Sequence, residues 1–188
     1  MLTRLILTGF MGSGKSTVGP ILADRLGWTF LDLDHEIERR ERRTVPQVFA
    51  ESGEPYFRQL ESTTLADLIQ HPHTVFALGG GAPENPANRE LLAAAPNTAI
   101  LYLAAPLDHL LARCQTASTN PATLRPVLAD PATAAQRFQT RHPVYETLST
   151  HTIDTTHQTP TQTAEAILKT LNLPLSTAPT AKPPRPPR

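Results

Sequence analysis

Between Gly9 and Ser16 the chain reads Gly-Phe-Met-Gly-Ser-Gly-Lys-Ser, the spacing G-x-x-x-x-G-K-[ST]. Glycines at these places let a backbone wrap closely around phosphate oxygens, with φ values other residues avoid. The consecutive N–H groups of Gly12, Ser13, Gly14, Lys15, Ser16 and Thr17 would form an anion nest at a helix N-terminus. Lys15 would reach the β- and γ-phosphates, and the Ser16 hydroxyl would ligate Mg²⁺. A chance match of this kind in an average composition is on the order of 1% or less. The expected ligand is ATP·Mg²⁺, and the expected chemistry is transfer of its terminal phosphoryl group.

The loop does not name the acceptor, but three further constellations bear on it. Asp32 and Asp34 lie in Leu31-Asp-Leu-Asp-His35, at the end of a strand candidate. Strand alternation puts both carboxylates on one face. One could hold the metal's water shell and the other an acceptor hydroxyl; an N-cap beside a solvated turn residue is the alternative. Arg58 and Glu61 stand at i and i+3 and share a helix face. Glu61 can orient the guanidinium, whose rigid fork suits a carboxylate, although an exposed ion pair explains the spacing equally. Gly79-Gly80-Gly81 ends another strand candidate, where open parallel sheets bind ligands.

The elements that must position these residues alternate. Short β-type runs are predicted at 5–8, 29–31, 74–78, 98–103 and 151–153. Helical spacing links Val18, Ile21, Leu22 and Leu26, stopped by Gly27. Further helices are expected over residues 35–43, from about 54 to 70, from Leu107 through Cys114, and from Ala164 to Leu171. Arg141, in Arg-His-Pro-Val-Tyr145, falls on a late helix. This alternation argues for an α/β protein with a mostly parallel sheet covered on both faces.

Composition narrows the class. The 188 residues carry 17 basic and 17 acidic groups, so no global field recruits nucleic acid. No apolar run approaches the ~20 residues of a membrane span, and the N-terminal run is too short for a signal peptide. One cysteine, Cys114, allows no intrachain disulfide and is compatible with a reducing cytosol. The run Glu38-Arg-Arg-Glu-Arg-Arg43 reads as a solvated helix face with internal ion pairs. From Leu175 the chain turns to Ser, Thr, Ala, Pro and Arg, a composition expected to stay disordered.

Taken in order, Gly-Phe-Met-Gly-Ser-Gly-Lys-Ser-Thr-Val-Gly, Leu-Asp-Leu-Asp, Phe-Arg-x-x-Glu, Gly-Gly-Gly and Arg-Pro-Val-Leu resemble the shikimate kinase family over residues 4–172. The resemblance implies a three-layer P-loop kinase fold, with a five-stranded parallel sheet of order 2-3-1-4-5 and a mobile lid. It implies one domain over residues 1–174, a substrate-binding region near 33–61, a lid near 114–130, and a tail over 175–188. The implied reaction phosphorylates the 3-hydroxyl of shikimate with ATP, on the route to chorismate and the aromatic amino acids, in a cytoplasmic monomer.

On that pattern Ser16 and Asp32 would hold Mg²⁺. Asp34 would receive the shikimate hydroxyls and act as base or orienting group, and Arg58 and Arg141 would clamp the carboxylate. Gly79, Gly80 and Gly81 would offer backbone contacts, with Glu61 behind Arg58. Lys15 and the lid residue Arg125 would stabilise charge on the transferred phosphoryl. Gln158 takes the place where some relatives carry an arginine by the adenine. The segment between Arg113 and Arg125 is longer than the family's usual lid, and Val127 replaces a leucine. A kinase for another small metabolite, such as gluconate, and a non-catalytic sensor are the competing readings.

Overall fold

Leu5, Ile6 and Leu7 are each fully buried, yet they do not share a core. Leu5 and Leu7 pack with Val18, Leu22, Ile167 and Leu168, whereas Ile6 packs with Phe57, Leu65, Phe76 and Leu92. Alternation along one strand thus feeds two hydrophobic layers, one on each face of a sheet. The computed structural model describes residues 1–117 and 131–173. Arg125 and Val127, most of the expected lid and the tail over 175–188 lie outside the described residues.

The sheet comprises β1 (Arg4–Thr8), β2 (Thr29–Asp32), β3 (Thr74–Ala77), β4 (Thr98–Ala104) and β5 (His151–Asp154). All neighbouring pairs are parallel, in the order β2-β3-β1-β4-β5. Among the described residues seven α-helices join them: α1 (Lys15–Leu26), α2 (Leu33–Glu41), α3 (Val45–Leu68), α4 (Pro86–Ala94), α5 (Leu107–Ala117), α6 (Pro131–Leu148) and α7 (Pro160–Thr170). The order reverses beside β1, so the carboxyl ends of β1, β2 and β3 open on one crevice, the usual ligand position in such sheets.

Several boundaries move from their expected places. The charged helix starts at Leu33, two residues early, because the Asp32 side chain accepts from the Asp34 and His35 N–H groups and caps it. The helix expected from about Glu54 is the second arm of α3, and an unexpected first arm begins at Val45. Thr44 and Gln47 form a capping box there, and Gly53, at φ 81° and ψ 170°, kinks the helix into two arms. The helix α4 is not among the expected elements; Asn85 caps it and Pro86 opens it. At the C-terminus of α1, Gly27 takes φ 67° and terminates the helix as expected. Within the charge run Arg43 pairs with Glu41, while Arg39 and Arg40 pair with Glu36 just before it and Arg40 and Arg43 also reach Asp67 and Glu51 on α3.

Candidate active site

The loop between β1 and α1 is built on three glycines with positive φ: Gly9 at 142°, Gly12 at 76° and Gly14 at 95°. Gly12 is also pressed against α5. A methyl group there would strike the Leu110 carbonyl and lie 2.9 Å from Cys114 Sγ. Cys114, expected in the core, is half-buried at this contact. Lys15 Nζ folds back over the loop and donates to the Gly9 and Phe10 carbonyls at 2.8 and 3.1 Å and to Ser13 Oγ at 3.3 Å. These are neutral acceptors, so an anion entering the loop offers the ammonium a stronger partner.

Next along α1, Ser16 Oγ donates to Asp32 Oδ2 at 2.7 Å. Of the two readings of the aspartate pair, the cap is found at Asp32, whose Oδ1 caps α2 while Oδ2 faces the loop. Giving its hydrogen to Asp32 leaves the Ser16 oxygen lone pairs available. A hydroxyl and a carboxylate side by side at a phosphate nest form the hard oxygen set that Mg²⁺ prefers.

The third strand delivers Gly79–Gly81 to the same crevice, and each glycine touches a different functional side chain. A methyl on Gly79 would lie 2.6 Å from Asp34 Oδ1 and 2.9 Å from Glu61 Oε1. One on Gly81 would lie 2.5 and 2.7 Å from the two terminal nitrogens of Arg58. One on Gly80 would have more room, 3.5 Å from Arg141 Nη1 and 3.6 Å from the Tyr145 hydroxyl. Asp34, Arg58, Glu61 and Arg141 thus converge on one glycine turn from α2, α3 and α6.

Fixed partners aim these groups. Arg58 Nη1 donates to Glu61 Oε2 at 2.8 Å, and its Nε and Nη2 donate to Glu54 Oε1 at 3.2 and 2.9 Å. Glu61 is 1% exposed, and burial pushes its carboxyl up to about 7, with Arg58 opposing the shift and Asp34 adding to it. Arg141 is buried and donates through Nε and Nη2 to Glu84 Oε2 at 2.9 and 2.7 Å. Tyr145, one helical turn on, donates to the Gly80 carbonyl at 2.6 Å and fixes the turn from behind. Burial raises the Tyr145 phenol further, so it remains a donor at neutral pH.

On the other side of the loop, Arg113 binds the end of β5. It donates to Thr155 Oγ1 at 3.1 Å, to the Thr156 carbonyl at 3.2 Å and to the Thr155 carbonyl. The Gln158 N–H donates to the Thr155 carbonyl at 3.3 Å. Its side-chain Oε1 is buried with no partner among the described residues, as an acceptor beside a nucleotide base would be. His109 and His157 meet edge to face at 5.7 Å across the same α5–β5 junction.

Sequence reasoning missed Glu54, Glu84, Arg113 and Tyr145. Glu54 was recoverable, since it stands four residues before Arg58 on one helix face. The others act on partners 42 to 65 residues distant, which no local spacing reveals.

A strand, a glycine loop and a helix carrying Lys15 and Ser16, set in a parallel sheet of order 2-3-1-4-5, define a P-loop kinase fold. Within that class the chain belongs to the shikimate kinase family, whose family model, "Shikimate kinase", matches residues 11–172. The chain is 49% identical over 127 residues to the shikimate kinase of Salinibacter ruber, a match spanning 68% of this chain and 59% of that one. It is 36% identical over 170 residues to the shikimate kinase of Acinetobacter baylyi, covering 90% of this chain and 92% of that one. Among solved structures, the shikimate kinase of Acinetobacter baumannii in complex with shikimate superposes with a TM-score of 0.82 at 35% identity. That match covers 92% of this chain and 94% of the other.

Proposed function

We propose that the protein transfers the γ-phosphoryl group of ATP to the 3-hydroxyl of shikimate, giving shikimate 3-phosphate and ADP. The carrying observation is the convergence of Asp34, Arg58 and Arg141 on Gly79–Gly81, facing the phosphate loop. Two guanidinium groups beside an aspartate suit a small molecule bearing one carboxylate and several hydroxyls. Family membership and the shikimate-bound relative support the same acceptor.

On this reading Asp34 takes the hydrogen bond, and finally the proton, of the attacking hydroxyl. The acceptor oxygen forms its bond to the γ-phosphorus as the bond to the β–γ bridging oxygen breaks. Lys15 leaves the Gly9 and Phe10 carbonyls for the phosphate oxygens, and the N–H groups of Gly12–Thr17 hold the rest of the chain of phosphates. Ser16 and Asp32 would hold Mg²⁺, which when bound neutralises charge between the β- and γ-phosphates. Arg58, held by Glu61, and Arg141 fix the substrate carboxylate, and the backbone of Gly79–Gly81 receives the ring. Arg125 is assigned to the lid over the transferred phosphoryl, and Gln158, with Arg113, to the adenine side.

Both subsites are built from one chain, so the reading needs no second subunit, nucleic acid or lipid; it places a monomeric enzyme in the cytoplasm. Among the described residues no helix is long and apolar enough to cross a membrane. Gluconate also carries a carboxylate and hydroxyls, so family membership, not the arginine pair, favours shikimate over it; a sensor has no use for Lys15, Ser16 and Asp34 together. A coupled ATP assay with shikimate, gluconate and nucleoside monophosphates, with product mass identified, decides among them. Turnover of another acceptor without turnover of shikimate would refute the proposal.

A further inference from the structure

We infer that Glu84 is a displaceable counter-carboxylate: it occupies the Arg141 guanidinium until the substrate's own carboxylate takes its place, and so sets which anions the acceptor pocket accepts. This rests on the reading of that pocket as a carboxylate site.

Arg141 is buried, and a buried guanidinium needs an anion near it. Glu84 supplies one with a single oxygen, Oε2, which takes both Nε and Nη2. That grip covers one edge of the guanidinium. The remaining nitrogen, Nη1, lies toward Gly80, 3.5 Å from where a methyl on that residue would sit.

Arg58 holds two acids, the exposed Glu54 on its outer side and the buried Glu61, and the buried one is of a different kind from Glu84. Glu61 is 1% exposed and wedged between Arg58 and the Gly79 turn, so it cannot leave. Glu84 ends the one-turn 3₁₀ segment Ala82–Glu84 and is 37% exposed. Its backbone N–H is already bonded to the Gly81 carbonyl at 2.9 Å, so the turn does not depend on its side chain. The carboxylate can therefore rotate into water while the backbone stays.

Charge balance favours that exchange. An incoming carboxylate at Arg141 would stand beside Glu84, whose Oε2 already takes two of its nitrogens. With Glu84 still in place, one guanidinium would face two carboxylates at once. A planar carboxylate that engages Arg141 and Arg58 together can replace Glu84. A spherical or weakly held anion, such as chloride, gains too little to do so. Glu84 thereby keeps the empty clamp neutral and selective.

The test measures binding of shikimate and of its neutral carboxamide analogue by calorimetry, to the full chain and to Glu84→Gln. The glutamine oxygen still accepts from Arg141 but carries no charge. Shikimate should bind Glu84→Gln about two- to fivefold more tightly, the range an ion pair of this exposure supports. The carboxamide should show no such gain. Shikimate binding by the variant should also become more sensitive to added chloride, which now competes for an uncovered cation. ADP affinity and melting temperature report whether the variant is folded, with Glu84→Ala as the second variant if it is not. Weaker shikimate binding by Glu84→Gln would overturn the inference, because Glu84 would then stay on Arg141 in the bound state. An unchanged affinity would overturn it too. If the unmutated chain binds no shikimate, the acceptor reading itself fails, an outcome distinct from these.

Discussion

Ser16 Oγ and Asp32 Oδ2 stand 2.7 Å apart, joining the phosphate loop to the residue that caps α2. The same carboxylate therefore orients the hydroxyl assigned to the metal and starts the helix that carries Asp34. A shift of Asp32 moves both the Ser16 hydroxyl and the start of α2, so on the proposed reading metal loading and acceptor positioning are linked.

Asp32→Asn separates these roles, because asparagine caps helices as well as aspartate does. The variant should melt close to the parent protein, while its Mg²⁺ requirement rises about 10- to 100-fold, the usual cost of a lost partner around a metal. Ser16→Ala should raise the requirement at least as much. Magnesium titrations of the initial rate, with thermal melts in parallel, check this. An unchanged Mg²⁺ dependence in both variants would remove Ser16 and Asp32 from the metal site.

Asp34 and Arg58 share the Gly79–Gly81 turn but touch different ends of it, so their substitutions should fail differently. Asp34→Asn should lower kcat by about 10²- to 10⁴-fold, the range for a lost general base. Arg58→Ala should mainly raise the KM for shikimate, by about 10- to 100-fold for a lost charged hydrogen bond. ADP should bind both variants as it binds the parent. Equal loss of nucleotide binding in the two would contradict separate subsites.

The parts of this site that were legible in the sequence are those whose chemistry is local. The loop Gly9–Thr17 is one continuous nest and reads directly, whereas strand alternation does not place the Leu31-Asp-Leu-Asp pair, because β2 ends at Asp32 and Asp34 lies in the first turn of α2. The sheet order came with the family resemblance and matches the strand pairing found. Tertiary effects were not legible. The first arm of α3, from Val45 to the break at Gly53, was not legible, because the capping box at Thr44 is a side-chain geometry with little hydrophobic signature. Glu84 and Tyr145 acquire their roles only when α6 packs across the glycine turn, 57 and 65 residues away in sequence from their partners. Helix periodicity marks which face is buried, not what lies opposite it.

The three glycines of that turn give a graded test of the packing. Gly79→Ala would drive a methyl into Asp34 and Glu61, and Gly81→Ala would drive one into the Arg58 guanidinium. Both should lose stability, by about 1–3 kcal/mol for overpacking, together with activity. Gly80→Ala meets nothing closer than 3.5 Å and should melt near the parent temperature, yet the new methyl occupies acceptor space. Its loss should therefore fall in the KM for shikimate. Thermal melts and steady-state kinetics on the three variants check the order. A Gly80→Ala variant with parent kinetics would place the ring elsewhere.

Glu61 carries the clearest dependence on pH. Its carboxyl sits at about 7 instead of 4.5, chiefly through burial, and the groups that act on it are Arg58, Asp34 and Arg141. Between pH 4.5 and 7 the folded state therefore holds a proton that the unfolded chain has released. Stability must then fall as pH rises through this window and level off above about 7. Glu36 and Asp154 have lowered values, so their contributions change below the window. All other titratable groups are common to the parent and to Glu61→Gln, so the difference between the two curves isolates Glu61. The glutamine keeps an oxygen for Arg58 and has no proton to lose. The ligand-free parent should lose melting temperature from pH 5.5 to pH 8 relative to Glu61→Gln, at constant ionic strength. Parallel curves for the two proteins would show that Glu61 is already ionised across the range, and that its hold on Arg58 outweighs its burial.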